Sequence, residues 1–304
     1  MELAAPAALG RNQMTRRPLS SKVRITIGLL SVALLAGFYF YLSYAQHCQN
    51  PDDTTIPTIT QLWAGLENII KENPRTEERW ILVDSESTFM RLFIGLGLGI
   101  LGSVALGIMM GCFRFVEAFF IWPLSLLAKI PPTAALAVFF VMVGTGTEMY
   151  IAMIGFGVLP TLAQTIYISV KEVPSSHIDK GMTFGATTIE IITSIIFGQI
   201  LPRLIDSIRL QIGPAMVYLI AAEMVCGDMG FGYRIRMQSR LLNMSVVYPY
   251  LAMLALFGFA MDSGLRKAIG ILCPWYVQKE GGFFRNTFLM LFHPKGVTCS
   301  QGGK

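Results

Sequence analysis

Charge is what this sequence has least of. Of 304 residues only 14% are Asp, Glu, Lys or Arg, while 53% are hydrophobic; a soluble domain carries about a quarter charged residues. That deficit argues against an ordinary soluble domain and for a chain built largely for lipid. Histidine is scarce, and His47, His177 and His293 lie far apart with no metal-ligand spacing. Cysteine is sparse and scattered: Cys48, Cys112, Cys226, Cys273 and Cys299 are odd in number and form no CxxC pair, so neither a disulfide framework nor a zinc site is expected. A GxxxxGK[ST] run is missing as well, so the chain lacks the phosphate cradle of an ATPase. The net charge of +5 comes without a basic stripe interleaved with aromatics, which sets a nucleic-acid partner aside. The basic residues instead flank apolar runs, where they orient membrane spans.

Long apolar runs are what the sequence does have. Arg11, Arg16, Arg17, Lys22 and Arg24 precede "ITIGLLSVALLAGFYFYLSY", Ile25 to Tyr44. A bilayer core needs ~20 apolar residues, and the bulky aromatic end suits an interfacial anchor better than a cleavage site. We read a retained first span with a cytoplasmic N-terminal segment over 1–24. Residues 45–87 are mixed and charged and are expected outside, with a surface helix over "TITQLWAGLENII". Further spans are expected at about 89–112, 118–143, 149–170, 204–225 and 246–269. The third is interrupted by Pro123 and by Ile130-Pro131-Pro132, which predicts a kink or two half-helices, with Lys129 in the break. The fold class is therefore all-α, a polytopic membrane protein of about six transmembrane helices. The membrane-spanning core is read as 25–271, followed by a basic tail, 272–304. Six spans bring both termini to the cytoplasm.

Within the second span, "GLGLGILG" satisfies GxGxxG, but no strand precedes it and a dinucleotide is not expected. No cofactor is implied. Gly95, Gly99, Ser103, Gly107 and Gly111 recur every four residues, which on a helix is one smooth face for close helix packing. Two charged positions are candidates for a translocation pathway: Glu223, late in the fifth span, and Arg234, in the connection after it. Arg234, Arg236 and Arg240 fall on the expected external side, against the positive-inside trend. They either snorkel or line an outer vestibule. Asp206 and Arg209, three apart, are expected to pair along one helix.

The loop between the fourth and fifth spans, 171–203, carries a separate signal. From Pro174 the sequence reads as a short helix through Phe184. Gly185 suits a helix end, because glycine takes positive φ cheaply. Thr187 with Glu190 three residues on matches a capping box for a second helix. A helix, glycine turn and helix at the membrane face serve either packing or docking of a soluble partner.

"DKGMTFGATTIEIITSIIFGQILP" resembles the cytoplasmic E-A-A-x-x-x-G loop of permease subunits of bacterial ABC importers, of the nitrate/sulfonate/taurine type. Asp179, Lys180 and Gly181 stand at the Glu-Ala-Ala positions, and Gly185 at the glycine. "AAEM" (Ala221 to Met224), "GFGY" (Gly230 to Tyr233), "IPTITQLWAGL", the interrupted third span and "CPWY" are similar to the same family, so the resemblance covers about residues 55–276. Phe197-Gly198 replaces a frequent Leu-Pro, and the chain after Trp275 is an addition. The resemblance implies a type I importer permease whose loop docks on a separate ATP-binding subunit. Asp179, Lys180, Gly181, Phe184, Gly185 and Glu190 would form the coupling surface. It further implies a permease homodimer, an external solute-binding protein, contact with membrane lipid, and a bacterial inner-membrane location. The chain would be a transport subunit, not an enzyme. The alternative is an ion-coupled secondary transporter, which would need intramembrane ionisable residues and usually repeats. Nitrate, sulfonates or taurine, bicarbonate and small heteroaromatics are all open as solutes, since a binding protein sets specificity in such systems. A carboxylate at Glu223 counts against an anion.

Overall fold

The structure, a computed structural model, describes residues 21–50, 53–71 and 79–276. The basic residues at 11, 16 and 17 and the part of the expected basic tail after Tyr276 lie outside them. Among the described residues the regular elements are helices. One compact unit contains α1 (Ser21–Gln49). It is apolar all round with its side chains largely open, as a helix in lipid should be.

The second unit begins at Asn50. Its first helix, α2 (Ile59–Ile70), opens with a capping box: Thr58 Oγ1 accepts from the Gln61 amide, and Gln61 Oε1 accepts from the Thr58 amide at 2.9 Å. The buried side of α2 is Gly65 and Ile69. A Cβ on Gly65 would lie 2.0 Å from the Ser245 carbonyl oxygen, so α2 rests on the start of α11 (Met244–Leu272).

The core is α3 (Trp80–Cys112) against α6 (Thr147–Lys171), with α9 (Phe197–Cys226) packed on α6. The small-residue face of α3 makes the contact. Hypothetical Cβ atoms on Gly95, Gly107 and Gly111 would fall 2.9 Å from Ile154 Cβ, 2.7 Å from Ile166 Cβ and 2.5 Å from Val170 Cβ. Gly99 faces Val158, and Ser103 Oγ donates to Gly99 O at 2.6 Å and to Leu159 O at 3.2 Å. Branched knobs of α6 thus seat in a groove that only glycine and serine leave open.

The structure sets the bounds of three expected elements. α3 starts at Trp80 rather than near residue 89, and Asp84 and Thr88 in its first turns are buried in the fold. Among the described residues, five helices are long and apolar enough to cross a membrane. The third expected span is two shorter helices, α4 (Arg114–Leu127) and α5 (Leu136–Val143). Pro131 and Pro132 in the link lack the amide hydrogens a helix needs, and Lys129 is exposed there. Glu117 ties α4 to α6 through Lys171 Nζ at 2.7 Å and the Tyr167 hydroxyl at 2.5 Å. Finally, the second helix expected after Thr187 continues into the next span. One helical run extends from Thr188 to Cys226, and neither Pro202 nor Pro214 interrupts it.

Candidate functional site

Two places in the second unit concentrate polar and glycine residues. The first joins α6 to α9. Helix α7 (Ser175–Thr183) starts after Pro174 and ends at Phe184. Gly185 has φ +81. Its amide donates to Met182 O at 2.9 Å, and the Ala186 amide reaches back to Gly181 O at 3.1 Å. That bond pair is a Schellman motif, and its left-handed position is where glycine avoids a Cβ penalty. The chain then re-enters helix through the capping box of Thr187 and Glu190: the carboxylate accepts the Thr187 amide at 2.8 Å, and Thr187 Oγ1 accepts the Glu190 amide at 3.4 Å. α8 (Thr188–Glu190) passes through a π-helical segment, Ile191–Ile196, into α9.

Gly181 is buried, and a Cβ there would meet Ile195 Cδ1 at 2.6 Å. Asp179, Lys180, Phe184, Gly185 and Glu190 are exposed. Phe184 is 89% exposed, with Met182 and Ile189 also open. The Glu190 carboxylate is held in the cap by the Thr187 amide and hydroxyl. A groove of about 570 Å³ between α7 and the π segment is lined by His177, Lys180, Phe184, Ser194 and Gln199 among others. His177 and Gln199 side chains lie 3.0 Å apart across it.

The second place is a buried polar network where α3, α9, α10 (Phe231–Arg240) and α11 meet. Glu223 is 0% exposed. It accepts from Arg91 Nη1 at 3.0 Å, the Gly232 amide at 2.9 Å and Thr88 Oγ1 at 3.0 Å. Thr88 Oγ1 in turn accepts the Phe231 amide at 2.9 Å. Arg91 also donates to Met229 O at 3.0 Å and lies 4.3 Å over the Tyr150 ring. One turn earlier on α3, Asp84, also 0% exposed, accepts from Arg234 Nε at 2.9 Å, the Tyr250 hydroxyl at 2.7 Å and the Gly230 amide at 3.1 Å. Trp80 covers Arg234 at 4.3 Å. Two acids thus face two guanidiniums in the cluster.

The 227–232 turn is moulded on Glu223. A Cβ at Gly227 would stand 2.5 Å from Glu223 O, at Gly230 2.5 Å from its Oε1, and at Gly232 2.6 Å from its Cβ. Gly230 also has φ +112. Both sequence candidates for a pathway, Glu223 and Arg234, therefore sit in one network, joined through the turn between them. Asp206 and Arg209 pair at 2.9 Å, and Arg209 lies 2.8 Å from Asp262 as well.

Comparison with known proteins supplies the family. Residues 93–266, more than half of the chain, match the binding-protein-dependent transport system inner membrane component family. The chain belongs to that family. This permease is 25% identical over 194 residues to the taurine transport system permease protein TauC of Escherichia coli, covering 64% of this chain and 70% of that one. It is 32% identical over 166 residues to a putative ABC transporter permease of Methanocaldococcus jannaschii, covering 54% and 62%. With the putative aliphatic sulfonates transport permease SsuC of Bacillus subtilis it shares 23% over 188 residues, covering 62% and 67%. Its fold is similar to a chain of the MetNI methionine ABC transporter in an inward-facing conformation, with TM-score 0.53, 18% identity, and 62% and 94% coverage. The permease is thus a multi-pass inner-membrane component of a binding-protein-dependent ABC importer.

Sequence reasoning found Glu223 and Arg234 but missed their partners in this permease. Asp84, Thr88, Arg91 and Tyr250 are scattered over α3 and α11 without a motif. One signal was available: Asp84, Thr88 and Arg91 recur at i, i+4 and i+7, one helix face, leading into the apolar part of α3.

Proposed function

We propose that this chain is the membrane-spanning half of an ATP-driven importer. It moves a small solute inward by alternating access, coupled through Pro174–Glu190 to a separate ATP-binding subunit. The observation that carries this is the docking shape of α7. Its apolar tip at Met182 and Phe184 is open, Gly181 seats it on Ile195, and a Schellman turn fixes its angle to the next helix. Asp179, Lys180, Phe184 and Gly185 form the contact surface, while Gly181 and Glu190 shape it. The assembly has two copies of this permease, two ATPases and an external solute-binding protein, within membrane lipid. With α4 and α5 together completing a sixth crossing, both termini face the cytoplasm, with 1–24 and 272–304 on that side.

For the solute we favour a small sulfonate of the taurine type. Relatives named for taurine and aliphatic sulfonates support it. The paired state of Glu223 removes the objection that its carboxylate would repel an anion. Arg91 cancels that charge at 3.0 Å. We accordingly assign Glu223 and Arg234 to a structural clamp, outside the solute's path.

The test is co-purification in mild detergent with the cognate ATP-binding subunit, comparing the wild-type chain with Phe184→Asp. Recovery of the ATPase by the wild type, and at least about tenfold less by a variant of unchanged thermal stability, is expected; buried apolar anchors commonly carry that much binding free energy. An intact wild-type chain that transports solute on an ion gradient with no ATPase would establish the secondary-transporter alternative.

A further inference from the structure

The long run Thr188–Cys226 has two unlike ends. The α8 end is exposed and continuous with the docking loop. The α9 end is clamped through Glu223 to Arg91 and Thr88 of α3. A buried charge pair resists separation because each half would be left unpaired. Motion imposed on the loop must therefore be absorbed between Glu190 and the clamp. We propose that the π segment Ile191–Ile196 is a register joint, which exchanges between π and α geometry when the loop is displaced. The proposal rests on the docking reading above.

The segment is built for such exchange. The Phe197 amide donates to Ile192 O, an i to i−5 bond that accommodates one residue more than an α-turn; such bulges are rare and favour functional sites. Returning that residue to α geometry turns the chain upstream by about 100° about the helix axis. The sequence tolerates the turn. "IITSII" carries two adjacent isoleucine pairs. Ile191 and Ile196 are buried, and Ile192 and Ile195 pack half-buried against the same core. A one-residue change of register upstream brings Ile192 to the inward place of Ile191, so apolar contact persists there in both geometries.

Neither state is locked by local chemistry. Four isoleucines and Thr193 are β-branched and weak helix formers. Thr193 Oγ1 donates to Ile189 O at 2.8 Å, keeping a carbonyl at the joint occupied whichever amide it loses. Gly181 of α7 packs directly on Ile195, so the docking helix bears on the joint itself. Pro202 and Pro214 are the competing hinges. Their lack of an amide hydrogen is covalent, so neither site can gain or lose a hydrogen bond on exchange between two helical geometries.

The experiment uses the importer reconstituted in liposomes with its cognate ATP-binding subunit and solute-binding protein. Co-purification of the ATPase with the wild type is scored first, because it tests the docking reading by itself. Backbone hydrogen exchange over 188–226 is then compared between nucleotide-free and ATP-trapped complexes. A changed rate confined to 191–197, with 204–226 unchanged, is expected. Deletion of Ser194, which removes the extra residue, is expected to keep ATP hydrolysis while solute moved per ATP falls about fivefold, within the range of coupling mutations. Unchanged exchange at 191–197 in a complex that turns over ATP overturns the joint. So does normal transport per ATP by an assembled deletion variant; if that variant does not assemble, the wild-type exchange result decides. An ATPase that fails to co-purify with the wild type defeats the docking reading, and the joint with it.

Discussion

Glu223 and Arg91 illustrate how a charge survives inside this protein. Each would be costly alone; together, with Thr88 and backbone amides filling the remaining carboxylate sites, they are satisfied. Arg91→Met is expected to destabilise the permease by about 3–5 kcal/mol, because it strands the Glu223 carboxylate. The double variant Arg91→Met, Glu223→Leu should recover at least about half of that loss, since no buried charge remains. Thermal unfolding in detergent of the wild type, both single variants and the double variant measures the cycle. Additive losses would show that the two side chains do not act as a pair. Tyr250→Phe removes one donor from Asp84 and should cost about 1–3 kcal/mol, the price of a buried acceptor losing a partner.

Helices α3 and α6 meet over a face where size is limiting. At Gly107 two effects oppose each other. Replacing a helix-interior glycine raises α propensity by about 1 kcal/mol. Against that, a Cβ would stand 2.8 Å from the Ala163 carbonyl oxygen, a backbone atom that cannot swing away. Gly107→Leu is expected to lose about 1–3 kcal/mol net through overpacking. Gly97 on the same helix has open space around its would-be Cβ, so Gly97→Leu should be neutral or slightly stabilising. Parallel thermal melts of the two variants separate packing from propensity. In the docking loop, Gly185→Ala forces a Cβ onto a left-handed residue at about 1–2 kcal/mol. That cost falls on the turn rather than the core, so recovered ATPase should drop more than thermal stability does.

Across the whole molecule, span count sets which loops share a side of the membrane. With a cytoplasmic N-terminus, α1 carries Cys48, which is exposed near its end, to the outer face. A membrane-impermeant maleimide added to intact cells should therefore label Cys48. Cys273, buried in the fold, should stay unlabelled until the protein is denatured. Labelling lost in a Cys48→Ser variant assigns the signal; absent labelling of Cys48 in intact cells, with labelling after permeabilisation, would reverse the orientation.

The sequence by itself determined the class and much of the local structure. Apolar run length separates lipid-facing helices from soluble ones, and spacing by four exposes the α3 packing face, because both depend only on residues near one another in the chain. The Gly185 turn and the Thr187–Glu190 cap were legible for the same reason. Tertiary structure decided the rest. The third span's division into α4 and α5 was foreseen as a break, but its extent depended on how the two pieces pack. The uninterrupted run through Pro202 was hidden, since neighbouring helices support a proline that local rules treat as a stop. The partners of Glu223 and Arg234 were hidden more deeply. Asp84 and Tyr250 are 166 residues apart in the chain, and only folding makes them neighbours. A buried charge announces that a partner exists, but the fold alone selects which one.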